Sequence, residues 1–182
     1  MGLEFRQNTT RSSIIVGQKK MEINKSSRHA KIVGDLGEQL VCNWLSRSGW
    51  EVVPVDHTGI DLIAYYRKSE KRIGITIKSR TRTVGTEKDS VNIFKKRNND
   101  REKVLRACKD FACEPWIAIY VEASDSADLF LTSLDNYDAK YRGNTDKAIE
   151  DWKMGENYRQ QYARDPNVRH LRLKVESENW KW

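Results

Sequence analysis

Two charged residues stand inside apolar, strand-like runs of this 182-residue sequence. Asp61 opens the run IDLIAYY, and Lys78 sits near the end of RIGITIKS. Side chains alternate along a strand, so Ile73, Ile75 and Ile77 share one face of the second run while Gly74, Thr76 and Lys78 share the other. A lysine in a sheet covered on both faces must find a carboxylate or reach solvent, and Asp61 on the neighbouring strand is the obvious partner. Such a pair is either a structural salt bridge or a working pair in a cleft. A third charge, Glu38, falls at the margin of a helical apolar stripe, beside Val41 and Leu45. There it either snorkels to solvent or aims into a cleft.

The elements that must position these groups can be read from periodicity. Ile32, Val33, Leu36, Leu40, Val41, Trp44 and Leu45 predict a helix over 30–48, ended by Gly49. Three strands follow: Trp50–Val55, with Pro54 marking an edge or bulge, then Ile60–Tyr66, then Arg72–Ser79. The turn Asp56-His57-Thr58-Gly59 joins the first two, and charged residues 68–71 make the hairpin between the last two. Residues 81–98 show no period and are expected to be a long loop. A second helix begins near Asn99, with Asn99 and Glu102 as a capping box and Val104, Leu105, Cys108 and Phe111 as its buried stripe. Pro115–Val121 is apolar on both faces and predicts a central strand. A strand at Leu129–Leu134, a helix over about 145–162 and a strand at Val168–Val175 complete the order.

Charge narrows the class of partner. The net charge is +7, with 38% hydrophobic and 32% charged residues, a globular composition. Residues 1–31 hold 7 basic and 2 acidic residues, and residues 67–106 hold 14 and 5, so two basic blocks sit on an acidic remainder. A polyanion is the natural partner. Arg80, Arg82, Lys95, Lys96 and Arg97 are the candidate phosphate contacts, against the plainer reading of a solvated basic loop. The acidic C-terminal part, 11 basic against 14 acidic residues over 107–182, gives mild support to a protein-interaction role instead. No apolar run nears the ~20 residues of a membrane span, and the run Ile14-Ile15-Val16 is too short for a signal-peptide core. A cytoplasmic protein that does not enter membranes is expected. Cys42, Cys108 and Cys113 lack metal-site spacing and read as reduced residues. Residues 1–29 read as a disordered basic leader, with Met21 a second candidate start, and residues 30–182 as one domain.

The pattern Gly37-Glu38, Gly59-Ile60-Asp61 and Ile75-Thr76-Ile77-Lys78-Ser79-Arg80 resembles the PD-(D/E)XK nuclease superfamily, which has the restriction-endonuclease-like fold. It is most similar to the Holliday-junction-resolvase and RecB-like branches, which carry a Gly-Glu on the first helix. The likeness covers residues 30–122. It implies an α/β fold with an αβββαβ core, a mixed central sheet flanked by helices, to which this chain adds C-terminal β-α-β elements. It implies a Mg²⁺-dependent endonuclease, with Mn²⁺ a plausible substitute, that hydrolyses phosphodiester bonds in DNA, and it leaves a homodimer open. Asp61 and Glu38 would be metal ligands, Ile77 would give a backbone carbonyl to the metal, and Lys78 would orient or activate the attacking water. Hard Mg²⁺ wants oxygen ligands and keeps several waters, and it lowers the pKa of a bound water while polarising the phosphate. The chain departs from the pattern at Thr76, where the family carries its second acid. A neutral hydroxyl there implies either a site that leans on Glu38 or a nuclease fold that binds DNA or a protein partner without cutting. Trp116, Tyr120 and Trp152 are expected in the core, Trp180 and Trp182 docked on the domain, and His57 incidental to the site.

Overall fold

The computed structural model describes residues 23–144 and 146–176. The first helix, α1 (His29–Arg47), leads into three antiparallel strands, β1 (Glu51–His57), β2 (Ile60–Tyr66) and β3 (Lys71–Thr81). Next come β4 (Val91–Lys95), a single 3-10 turn (Lys96–Asn98), α2 (Asp100–Asp110) and β5 (Glu114–Glu122). The chain continues through β6 (Ser126–Ser133), α3 (Leu134–Lys140), β7 (Ile149–Trp152), α4 (Glu156–Arg164) and β8 (Val168–Lys174).

Six strands form one mixed sheet in the order β1-β2-β3-β5-β6-β8. Among the described residues only β3 and β5 pair in parallel, from Ile73 opposite Glu114 to Thr81 opposite Glu122, because α2 provides the crossover that parallel neighbours require. Pro54 lies on an edge strand, at a register shift between Pro54 and His57, where its missing N–H costs no ladder bond. The α1, β1, β2, β3, α2, β5 succession is the expected αβββαβ core.

Each face of the sheet carries its own apolar core. On one face Val33, Val41 and Leu45 of α1 pack on Leu62, Ala64, Ile73, Ile75 and Ile77. On the other, Val104, Ala107 and Cys108 of α2 pack on Ile60, Ile117 and Ile119, and the same cluster runs on through Phe130, Trp152 and Tyr162. The alternation read in β3 thus sends its isoleucines under α1 and Gly74, Thr76 and Lys78 toward α2.

Four expectations need correction. The aperiodic 81–98 stretch contains β4, which pairs with β7 as a separate two-stranded sheet. Its burial runs buried-exposed-buried-buried, so it has no clean alternation, and its partner lies more than fifty residues away. The helix expected over 145–162 is instead β7 followed by α4, which begins after Gly155. The short helix α3 follows β6 directly, with Ser133 capping it by accepting the Asn136 N–H. Asn99 does not cap α2 through its side chain. It sits in the left-handed region at φ 53°, and the Asp100 carboxylate accepts the Lys95 N–H instead. Leu105 and Phe111 are exposed rather than buried. Trp180 and Trp182 and most of the basic leader lie outside the described residues.

Candidate active site

The site forms where β2 parts from β3. Their ladder runs from Tyr66 opposite Lys71 to Leu62 opposite Ile75 and is not continued at Asp61. A strand end that leaves its neighbour frees a backbone N–H, and a buried free N–H must be paired. Here the Asp61 carboxylate does it, accepting the Ile77 N–H at 2.6 Å through Oδ2. Asp61 is half-buried, and this bond anchors one oxygen while the other stays available. The preceding turn is fixed by Gly59 at φ 116°, where a Cβ would lie 2.5 Å from the Lys103 carbonyl oxygen. Only glycine lets the turn rest directly on the α2 backbone, so Asp61 is held at a fixed distance from that helix.

Thr76 and Lys78 share the face of β3 that looks toward α2. Thr76 is buried and Lys78 half-buried. The expected Asp61–Lys78 ion pair does not form among the described residues. Lys78 Nζ donates to Thr76 Oγ1 at 3.1 Å, while one Asp61 oxygen accepts from the Ile77 backbone. The two charges nevertheless line one cleft of about 210 Å³, with Thr76 between them and Phe94, Asp100 and Lys103 on its walls. Phe94, Asp100 and Lys103 were missed in the sequence. Phe94 belongs to the unrecognised β4, and the two charges sit in the first turn of α2, whose facing direction depends on the Gly59 contact.

Glu38, on α1, does not line this cleft but is near enough to feel the charges of Asp61 and Lys78. A Cβ on Gly37 would stand 2.1 Å from Ser79 Oγ, so only glycine allows α1 to press this closely on β3, one residue beyond Lys78. Glu38 is half-buried. Its carboxyl is raised above the usual carboxylate range, first by burial and next by the charges of Asp61 and Asp35, with Lys31 and Lys78 pulling the other way. The Asp61 charge that opposes ionisation of Glu38 is a repulsion that a cation between the two would relieve. Among the described residues no group of three or more His, Cys, Asp or Glu side chains converges on one point. The carboxylates lining the cleft are Asp61 and Asp100, the latter accepting the Lys95 N–H, with a neutral Thr76 beside them and Glu38 close by on α1. That set suits a hydrated Mg²⁺, which is commonly held by one or two carboxylates plus waters, and would poorly suit a metal that needs a full protein cage.

The expected basic contacts divide. Arg82 is committed to structure, donating to the carbonyls of Asp89 and Ser90 at 2.9 and 2.7 Å and so closing the β3–β4 loop. Arg80 is exposed and donates to the Ser79 carbonyl. Lys95 is half-buried, and Lys96 and Arg97 are exposed, at the end of β4 and in the 3-10 turn. His57 stacks edge-on against Phe111, 5.2 Å between centroids. Trp152 is fully buried and Tyr120 nearly so, while Trp116 is half-buried under Lys71.

No helix among the described residues is long and apolar enough to cross a membrane. Comparison with known proteins finds no matching family profile and no matching curated protein. Among solved structures the chain is similar to Hjc, a Holliday junction resolvase from Archaeoglobus fulgidus, an archaeal hyperthermophile. The TM-score is 0.47 at 10% identity, covering 68% of this chain and 91% of that one. It is also similar to a restriction endonuclease in complex with substrate DNA, at TM-score 0.45 and 11% identity over 90% of this chain and 81% of the other.

Proposed function

We propose that this protein is a Mg²⁺-dependent endonuclease that hydrolyses phosphodiester bonds in DNA. The observation that supports the reading is the placing of Asp61, Thr76 and Lys78 on one cleft at the parting of β2 and β3, with Glu38 on α1 near enough for the Asp61 charge to oppose its ionisation. A divalent cation, when bound there, supplies charge neutralisation at the scissile phosphate and acidifies a water. Everything else falls to the chain's own groups. Asp61, anchored through the Ile77 N–H, offers a fixed carboxylate oxygen. Glu38 offers a second carboxylate from the opposite side, and the Ile77 carbonyl is the third candidate oxygen. Lys78, hydrogen-bonded only to a neutral hydroxyl among the described residues, keeps two further donors to orient a water or a phosphate oxygen. Mn²⁺ should substitute, since it shares the preference for oxygen donors.

One observation favours a second reading, a nuclease fold that binds DNA without cutting it. Thr76 stands where a further carboxylate would complete the site, and its hydroxyl already accepts from Lys78. Calorimetric titration with Mg²⁺ and Mn²⁺ separates the two. The endonuclease reading expects millimolar or tighter binding by wild type, and tighter binding by Thr76→Glu, which adds a hard anionic oxygen. If neither wild type nor Thr76→Glu binds either metal at millimolar concentration, the catalytic reading fails and the binding module takes its place. If only Thr76→Glu binds and cleaves, the scaffold has lost its chemistry at this one position.

A further inference from the structure

Beside the cleft, separated from it by the Phe94 ring, lies a smaller cavity of about 80 Å³. At ~30 Å³ per water it holds two or three waters or one tetrahedral oxyanion. Two segments distant in sequence build it. One is the end of β4 and the 3-10 turn, bringing Lys95 and Lys96. The other is the approach to β7, bringing Lys147. They are joined by the Lys96 N–H on the Ala148 carbonyl at 2.9 Å and by the pairing of Lys95 with Ile149.

The back of this cavity is a closed framework of four charges. Arg101 makes paired bonds to Glu150 at 2.8 and 2.6 Å and to Asp138 at 3.0 and 2.6 Å. Arg142 adds a 3.2 Å contact to Glu150. Two arginines and two carboxylates neutralise one another there, and Arg101 lies over the Phe94 ring at 5.2 Å. The mouth is different. Lys95, Lys96 and Lys147 have no ion pair among the described residues, and Glu102 is the acidic lining residue outside the framework. A rigid neutral back with a net cationic mouth is a receptor for one small anionic group.

We infer that this cavity seats a backbone phosphate of the nucleic acid, next along the strand from the phosphodiester in the cleft, with Lys96 and Lys147 as its two principal cations. The inference rests on the DNA reading above and deepens it. It brings into the grip a residue of the C-terminal part, Lys147, which the resemblance to nucleases does not cover.

The test uses the full chain with EDTA, so that cleavage plays no part, and a fluorescein-labelled duplex of about 20 base pairs read by anisotropy from 50 to 300 mM KCl. Each phosphate neutralised contributes about −0.9 to the slope of log K against log salt. Lys96→Gln with Lys147→Gln removes one phosphate contact and should therefore shrink the slope by about 0.9. Carried back from 1 M, that weakens binding about 8-fold at 0.1 M salt. The control pair Arg67→Gln and Lys68→Gln lies just past the hairpin end of β2, at least six residues or ~20 Å from Asp61, and should leave the slope unchanged. Inorganic phosphate at 10 mM and constant ionic strength should not displace the duplex. An unchanged slope in the Lys96/Lys147 variant overturns the inference, as does an equal fall in the control pair, which would mean a diffuse field. Displacement by inorganic phosphate would overturn it in favour of a free-phosphate site. A wild type that fails to bind duplex at 50 mM salt overturns the DNA reading itself.

Discussion

Gly37 should control activity through its neighbour Glu38. The helix α1 can lie against β3 only because Gly37 has no Cβ. One placed there would be 2.1 Å from Ser79 Oγ, 3.3 Å from Ser79 Cβ and 3.4 Å from Tyr120 Cβ. Restoring an ordinary contact of 3.4 Å with Oγ needs a movement of about 1.3 Å, whereas the other two contacts need a few tenths at most. In Gly37→Ala the gain in helix propensity of about 1 kcal/mol opposes an overpacking cost of about 1–3 kcal/mol, so the net loss is at most about 2 kcal/mol. Position suffers too, because α1 lifts and shifts Glu38 relative to Asp61. A displacement near 1 Å costs on the order of 100-fold in rate when the group must be placed accurately. Ser79→Ala is the matched rescue. Ser79 Oγ is buried without a hydrogen-bond partner among the described residues, so its removal is nearly free in energy and takes away the 2.1 Å clash. The assay is the initial rate of supercoiled-plasmid nicking in Mg²⁺, with circular dichroism to show that all variants are folded. Gly37→Ala should lose about two orders of magnitude and Gly37→Ala/Ser79→Ala should regain most of it, a coupling typical of touching residues. A folded Gly37→Ala that nicks like wild type, or a double variant that recovers nothing, refutes the positioning argument.

Asp128 supplies an acid-sensitive contact. Burial opposes its ionisation, but His170, Arg159 and Arg172 outweigh burial and hold its pKa below the usual carboxylate range. A depressed carboxylate stabilises the fold above its unfolded pKa of about 3.9 and loses that contribution as pH falls below it. Asp128→Asn should therefore cost about 3–5 kcal/mol at pH 7 by stranding Arg159, and the gap to wild type should narrow on acidification in denaturant melts. A gap that widens below pH 4 contradicts this. Burial pushes the Cys108 thiol up to about 12, so iodoacetamide at pH 8 should leave Cys108 unmodified in the native protein, as read by peptide mass spectrometry. Removing residues 1–24 should shift Tm by no more than about 2 °C, because the Ser26 carbonyl that accepts the His29 N–H and the Arg28 carbonyl that accepts those of Lys31 and Ile32 are retained. A larger fall in a thermal melt would show that this segment contributes buried contacts.

The site elements that could be read from the sequence are those whose signal is local. The isoleucine alternation of β3 and the stripe of α1 are self-contained patterns, and they sort Lys78 and Thr76 onto the correct face without tertiary knowledge. The same local reading led to the wrong partner for Lys78, because strand alternation does not reveal that β2 leaves β3 at Asp61 and that Ile77 then needs an acceptor. β4 and β7 escaped notice because each is short and stable only against the other. Their residues, Phe94 and Glu150 among them, become site components through a pairing that no window of sequence contains. Arg82 looked like a phosphate contact on charge alone, but the β3–β4 loop consumes its donors on carbonyls. The Gly37 and Gly59 contacts fix Glu38 and Asp61, yet a glycine in a sequence does not say what backbone or side chain comes close to it.

The central claim, metal-dependent DNA cleavage by the group around Asp61, is tested most directly by plasmid nicking with wild type, Asp61→Ala and Lys78→Ala in Mg²⁺ and in EDTA. Each variant is compared at equal occupancy of DNA, set by anisotropy beforehand. Wild type should nick in Mg²⁺ and not in EDTA, and both variants should lose at least ~100-fold while remaining folded and DNA-bound. Nicking that persists in folded Asp61→Ala, or that is indifferent to EDTA, would contradict the account.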